Sequence, residues 1–153
     1  MRLSVSLTQE KVLPGLSLLF LKKVIRTTLI TALPVLATKE VRMELSLASV
    51  SDEAIAALNT TYRQKKAPTD ILSFGNFECV DEVLVATNNT ISLGQLVVSP
   101  DYIRRSAQED GVSWKHELVF VLVHGVLHLL GYDHSEKMFE IQDTVTAELM
   151  RQK

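Results

Sequence analysis

The sequence contains few of the residues that mark unusual classes of protein. It has one cysteine, so no internal disulfide can form, and a reducing compartment is the simpler environment. It has only 6 glycines and 4 prolines, which excludes collagen-like and low-complexity chains, and its 46% hydrophobic content excludes a disordered one. The net charge of −2 disfavours nucleic-acid binding through bulk positive charge, but not through a local basic patch. A length of 153 residues is typical of a single domain, which we expect to span residues 1–153.

We expect neither an exported nor a membrane-anchored form of this protein. Its most apolar N-terminal stretch, residues 13–36, has Lys22, Lys23 and Arg26 near the middle. These charges would be costly in a bilayer, and a signal peptide places its basic residues before the apolar run. We therefore expect an amphipathic helix in a soluble protein, a cytoplasmic location and no membrane partner.

The pattern of apolar residues predicts a mixture of strands and helices. Residues 41–47 alternate cleanly between apolar and polar side chains, which is typical of a half-buried strand. The strands and helices do not follow a regular βαβ alternation. This order predicts an α+β domain with a mixed sheet of about four strands and about five helices. We expect strands at 2–7, 41–47, 71–74 and 96–98, further helices at 51–62, 102–109, 113–130 and 135–150, and mainly loop at 78–90.

Three of the four histidines fall within eleven residues. His124 and His128 are four positions apart, so on a helix their rings share one face and can reach one zinc ion. Gly131 can end that helix in the left-handed conformation, and His134 follows three residues later. Three protein ligands leave a fourth position for water, which is typical of a catalytic zinc site rather than a structural one. His116, eight residues before His124, is interpreted as a surface or packing residue.

The spacing of these histidines resembles the zinc helix and glycine turn of the metzincin metallopeptidases. In those enzymes a glutamate follows the first histidine and acts as the general base. This chain has Gly125 there, and Glu117 lies two helical turns away. The zinc ligands are therefore present, but the base for peptide hydrolysis is missing.

The same segment, HGVLHLLGYDH at residues 124–134, resembles the signature of the YbeY family of ribosomal RNA maturation factors. Residues 58–63 (LNTTYR) and 68–74 (PTDILSF) resemble a second block of that family, and residues 93–99 (LGQLVVS) a third. Gln95 stands where the family usually has aspartate, and Gly75 where proline is common.

The resemblance implies a zinc-dependent endoribonuclease that cleaves single-stranded RNA. Its family role would be ribosomal RNA processing, including maturation of the 16S rRNA 3′ end, and ribosome quality control. The small ribosomal subunit and its proteins would then be partners, and DNA would not. The implied ligands of one Zn²⁺ are His124, His128 and His134, and the implied catalytic residues are Arg63 and, through the metal, His124.

A guanidinium is permanently charged and can bind phosphate through two hydrogen bonds, so Arg63 suits the charge that develops on an RNA phosphate. Lys65 and Lys66 follow it in sequence and are candidates for contacts with the RNA backbone. Asp133 suits either of two roles, orienting a histidine or capping the last helix.

Two other functions remain open from the sequence. One is a metzincin-like peptidase, against which Gly125 counts. The other is a non-enzymatic ribosome-assembly factor with a structural zinc, which fits the near-neutral charge and the lack of an evident general base.

Overall fold

A computed structural model describes residues 1–152 as one small α+β domain. Its four strands are β1 (Arg2–Gln9), β2 (Arg42–Ser49), β3 (Ile71–Gly75) and β4 (Thr90–Val98). Its six α-helices are α1 (Leu18–Ala32), α2 (Asp52–Arg63), α3 (Val80–Val85), α4 (Pro100–Asp110), α5 (Trp114–Leu129) and α6 (Glu136–Arg151). A short 3₁₀ helix, Pro34–Ala37, follows α1. Within residues 1–152, no helix is long and apolar enough to cross a membrane.

The sheet is mixed, with strand order β1-β2-β4-β3. The strands β1, β2 and β4 are parallel, and β3 runs antiparallel to β4 at one edge. The alternation predicted for β2 is confirmed, since Met43, Leu45 and Leu47 are buried on the core side. The predicted α+β class and four-stranded mixed sheet are therefore correct.

Helix α5 lies at the centre of the domain and packs on the sheet and on helices α1, α4 and α6. It is apolar on nearly every side, as expected of a helix surrounded by protein. Gly125 lets it approach the sheet closely. A Cβ atom at this position would lie 2.4 Å from Ile71 Cδ1 and 2.9 Å from Leu96 Cδ2.

Two predictions about the segment before α4 differ from the structure. Residues 78–90 were expected to be mainly loop, but they contain α3, whose Val83 is fully buried in the core. The strand expected at 96–98 begins already at Thr90, and a bulge beside Gly94 shifts its register with β2, so the alternation of residues 90–93 does not continue through 96–98. Gly94 has φ of +127°, and a Cβ there would overlap the Phe74 carbonyl oxygen at 2.1 Å.

The other differences concern helix ends. Helix α1 begins at Leu18, since the Ser17 hydroxyl accepts a hydrogen bond from the Phe20 amide. Helix α4 begins two residues earlier than expected, because Pro100 occupies its first turn and Ser99 caps it.

Candidate metal centre

Helix α5 and the turn after it bring the three predicted histidines together. His124 and His128 lie one turn apart on α5, both half-buried, and the exposed His134 lies beyond the turn. Their Nε2 atoms face one another, at 3.0 Å between His124 and His128, 3.1 Å between His128 and His134, and 3.3 Å between His134 and His124. Among the histidine, cysteine, aspartate and glutamate side chains of residues 1–152, these three form the group close enough together to share a metal ion.

The turn that returns His134 to the cluster depends on Gly131. This residue has φ of +90°, which an L-residue rarely adopts. Its amide donates to the His128 carbonyl at 2.9 Å and the Tyr132 amide to the Leu127 carbonyl at 3.1 Å, which is the pattern of a Schellman motif. The predicted glycine stop of the helix is therefore present, while the likeness to metzincins stays a prediction.

The geometry of the cluster fits a tetrahedral zinc ion. Two nitrogen ligands at about 2.05 Å from zinc, with a tetrahedral angle between them, lie about 3.3 Å apart. The observed separations of 3.0 to 3.3 Å are close to that value. Three imidazoles and an open side toward the cleft also match the donor set of catalytic zinc sites.

The protonation of His128 favours metal binding. Its Nδ1 lies 2.8 Å from the Tyr132 carbonyl oxygen, which can only accept, so Nδ1 carries the hydrogen. Burial lowers the pKa of the His128 imidazole below its usual range, and the neighbouring His124 lowers that pKa further. A neutral His128 with its proton on Nδ1 has a bare Nε2, the atom that faces the other two histidines.

The histidines line an open cleft of about 610 Å³ between α5, the edge strand β3 and the end of α2. Arg63, the last residue of α2, lies in the cleft wall, where its Nη2 donates to the Ser73 carbonyl oxygen at 3.1 Å. Lys65 also lines the cleft, whereas Lys66 is exposed and is not part of the lining. Asp70, Glu78 and Asp133 line it too, so the cleft is not uniformly basic.

The surroundings of the histidines differ from the prediction for Asp133. Other residues carry out both of the functions considered for it: Ser135 caps α6, and His124 Nδ1 contacts the side chain of Gln142. Gln142 is not predictable from the histidine segment, because it lies 18 residues from His124 in the chain. Gln95 is exposed and lies outside the cleft lining, and His116 stacks on Phe120 with ring centroids 6.4 Å apart.

A peptidase base at position 125 would not face the open cleft. The side chain that Gly125 lacks would point at Ile71 and Leu96 in the sheet, as described above, and not into open cleft. A glutamate there would meet closely packed apolar side chains, which removes support for the metzincin-like peptidase.

An α+β domain with three converging imidazoles beside a cationic side chain in an open cleft defines a candidate metallohydrolase. Comparison with known proteins narrows this class. The profile of the family described as Endoribonuclease YbeY matches residues 8–150, and the chain belongs to that family.

Several curated relatives bear the name Endoribonuclease YbeY. The chain is 41% identical to that of Synechococcus sp. (strain CC9605) over 104 residues, covering 68% of this chain and 61% of the relative. It is 44% identical to that of Halalkalibacterium halodurans over 112 residues, and this match covers 67% of this chain and 69% of the relative. The chain spans less than two thirds of the length of the Synechococcus relative, at 61%, and of the Frankia alni relative, at 62%. The relatives' name agrees with the predicted enzyme class, an RNA-cleaving hydrolase.

The fold is also similar to a solved structure. The solution structure of TM1509 from Thermotoga maritima superposes with a TM-score of 0.58 and 27% identity. The superposition covers 97% of this chain and 90% of that one. The similarity therefore extends through the N-terminal strand and helix, which the sequence blocks do not cover.

Proposed function

We propose that this chain is a zinc-dependent endoribonuclease that cleaves single-stranded RNA. The observation that carries the proposal is the convergence of the Nε2 atoms of His124, His128 and His134 within 3.3 Å of one another in an open cleft. Family membership supplies the substrate class, since the relatives are named as endoribonucleases. Zinc bound there would act as a Lewis acid on a phosphoryl oxygen and lower the pKa of water.

The chain's own residues supply binding and charge stabilisation. The Arg63 guanidinium has five N–H donors, and the contact with the Ser73 carbonyl oxygen uses one of its terminal nitrogens. That contact holds the side chain beside the cleft, and the other donors remain available for the oxygens of a phosphate. Lys65 extends the positive charge along the same wall, where it can bind the next part of the RNA backbone.

We propose ribosomal RNA as the natural substrate, in processing of the small-subunit RNA including the 16S rRNA 3′ end, and in ribosome quality control. Membership of the YbeY family supports this assignment, and with it we propose a cytoplasmic location near the small ribosomal subunit. With an overall charge of −2 and a cleft of mixed charge, the protein would have to select this RNA by more than electrostatic attraction.

The test is cleavage of a labelled, partly single-stranded ribosomal RNA fragment by matched preparations of wild type, His128→Ala and His116→Ala. His116 lies on the same helix but outside the cluster, so it controls for histidine removal as such. We expect wild type and His116→Ala to cleave, chelator to stop both, added zinc to restore both, and His128→Ala to be inactive. An unstructured protein substrate, included in parallel, should remain intact.

Equal RNA cleavage by wild type and His128→Ala would contradict the proposal and indicate a contaminating nuclease. Zinc binding by wild type without RNA cleavage would favour the assembly factor with a structural zinc. Cleavage of the protein substrate in a zinc-dependent manner would instead favour the peptidase.

A further inference from the structure

We propose that Gln142 is a positioning residue that holds His124 in the tautomer and orientation needed to bind the metal. This inference rests on the proposed zinc site and adds to it a side chain from helix α6. Gln142 is 1% exposed, and its two amide atoms make different contacts with α5. Its Nε2 lies 3.3 Å from the Phe120 carbonyl oxygen, and its Oε1 lies 3.2 Å from His124 Nδ1.

The orientation of the Gln142 amide follows from the partner on its other side. A backbone carbonyl can only accept hydrogen bonds, so the NH₂ group of Gln142 must face Phe120. The reversed amide would place two oxygens against each other in a buried site, at the cost of an unsatisfied carbonyl. Oε1 therefore faces His124.

This orientation fixes the proton on His124. Because Oε1 is an acceptor, Nδ1 of a neutral His124 must carry the hydrogen, and Nε2 then has a free lone pair. That Nε2 is the atom 3.0 Å from Nε2 of His128, whose own proton is held on Nδ1 by the Tyr132 carbonyl. Two lone pairs at this distance repel each other unless a cation lies between them, so the two contacts together prepare the site for a metal.

The three ligands are thus held in different ways. A backbone carbonyl orients His128, a side-chain amide orients His124, and the exposed His134 stacks on Phe139 with ring centroids 5.9 Å apart. Phe139 and Gln142 are three positions apart on α6, so one face of that helix supports two of the ligands. Of the three supporting groups, only that of Gln142 is a side chain that makes a hydrogen bond, so a substitution can remove this bond.

The first variant to test is Gln142→Met, which has a similar volume but no hydrogen-bonding group. Without the acceptor, the buried Nδ1–H loses its partner, or the proton moves to Nε2 and blocks the metal. Loss of such a partner typically weakens metal binding about 10- to 100-fold. The measurements are Zn²⁺ affinity by competition with a chelator and the tautomer of each histidine in metal-free protein by ¹⁵N–¹H correlation spectra at pH 8.

Two further variants separate positioning from general packing. Thr146→Val removes another buried polar group one turn along α6, where the hydroxyl has no hydrogen-bond partner among the described residues. Gln142→Glu keeps an acceptor oxygen for His124. We expect Thr146→Val to retain wild-type affinity and tautomers, and Gln142→Glu to retain the Nδ1–H form of His124 and to bind Zn²⁺ more tightly than Gln142→Met.

The expected result is a 10- to 100-fold weaker Zn²⁺ affinity for Gln142→Met, with a changed tautomer at His124 and an unchanged one at His128. Wild-type affinity and an Nδ1–H signal at His124 in Gln142→Met would overturn the inference even if the enzyme binds zinc and cleaves RNA. If wild type fails to bind Zn²⁺ while His124 shows Nδ1–H only when residue 142 has an acceptor, the proposed metal is wrong and the positioning contact stands. Should Gln142→Met not fold, the spectra of the metal-free wild type decide, and absence of an Nδ1–H signal at His124 overturns the inference.

Discussion

The substitution Gly131→Ala tests whether the turn after α5 builds the metal cluster. An alanine at φ of +90° costs about 1–2 kcal/mol, because its Cβ disfavours left-handed backbone. The new Cβ would also lie 2.5, 2.6 and 2.9 Å from the backbone C, Cα and N atoms of Cys79. These are backbone atoms in a neighbouring segment, so relief requires movement of the chain before α3, at about 1–3 kcal/mol for an overpacked contact.

The expected total for Gly131→Ala is therefore a loss of about 2–5 kcal/mol of unfolding free energy. Gly111→Ala is a matched control, because Gly111 also ends a helix with positive φ, +66°, but a Cβ there would meet nothing within 4 Å. The control should lose about 1–2 kcal/mol, from the backbone conformation alone. Urea unfolding of the metal-free proteins measures the difference.

The same substitution should weaken Zn²⁺ binding, because His134 reaches the cluster through this turn, whereas Gly111→Ala should leave the affinity unchanged. Equal destabilisation by the two substitutions would refute the contact with Cys79. Unchanged zinc affinity in a clearly destabilised Gly131→Ala would refute the link between this turn and the position of His134.

Two further predictions concern charged groups. Arg63→Ala should lower RNA cleavage about 10- to 100-fold while zinc content stays unchanged, because a charge-assisted hydrogen bond contributes about 1.5–3 kcal/mol. The rate of RNA cleavage is compared with that of Arg151→Ala, a control substitution at the far end of α6. An equal effect of the two substitutions would remove Arg63 from the mechanism. Glu117→Gln should stabilise the protein at pH 7. Burial raises the pKa of the Glu117 carboxyl, the negative charges of Asp110 and Asp70 raise it further, and His116 opposes them. With the folded pKa above the unfolded one, this carboxyl favours the folded state below about pH 4.5 and loses that contribution as pH rises through the folded pKa. Urea unfolding should therefore show a gain for the glutamine variant at pH 7 that disappears at pH 4, and a gain of equal size at both would contradict the role of burial.

Features that depend on neighbouring residues could be predicted from the sequence. The alternation in β2 and the spacing of His124, His128 and His134 both act within one element or one turn, so their geometry follows from helix and strand periodicity. The left-handed residue that ends α5 is of the same kind, because few residues besides glycine adopt that conformation.

Features that depend on distant parts of the chain could not be predicted. The contact of Gln142 with His124 joins two helices, and nothing in the α6 sequence distinguishes this buried glutamine from one on the surface. Helix α3 is short and acidic, and Val83 anchors it to a core whose shape the local sequence does not contain. The early start of β4 is hidden because the bulge at Gly94 changes which face each side chain occupies.

The two glycines of the segment at residues 124–134 show that its sequence is determined by packing as well as by metal-binding chemistry. Gly131 is required because the chain must reverse beneath the Cys79 backbone, and Gly125 because α5 presses on Ile71 and Leu96. A glutamate at 125 would therefore not convert this site into a peptidase, since its Cβ would point at the side chains of Ile71 and Leu96 in the sheet rather than toward a substrate in the cleft. The absence of that base is thus a property of how the helix is seated on the sheet, and any proton acceptor for RNA cleavage must come from the cleft wall, the substrate or water.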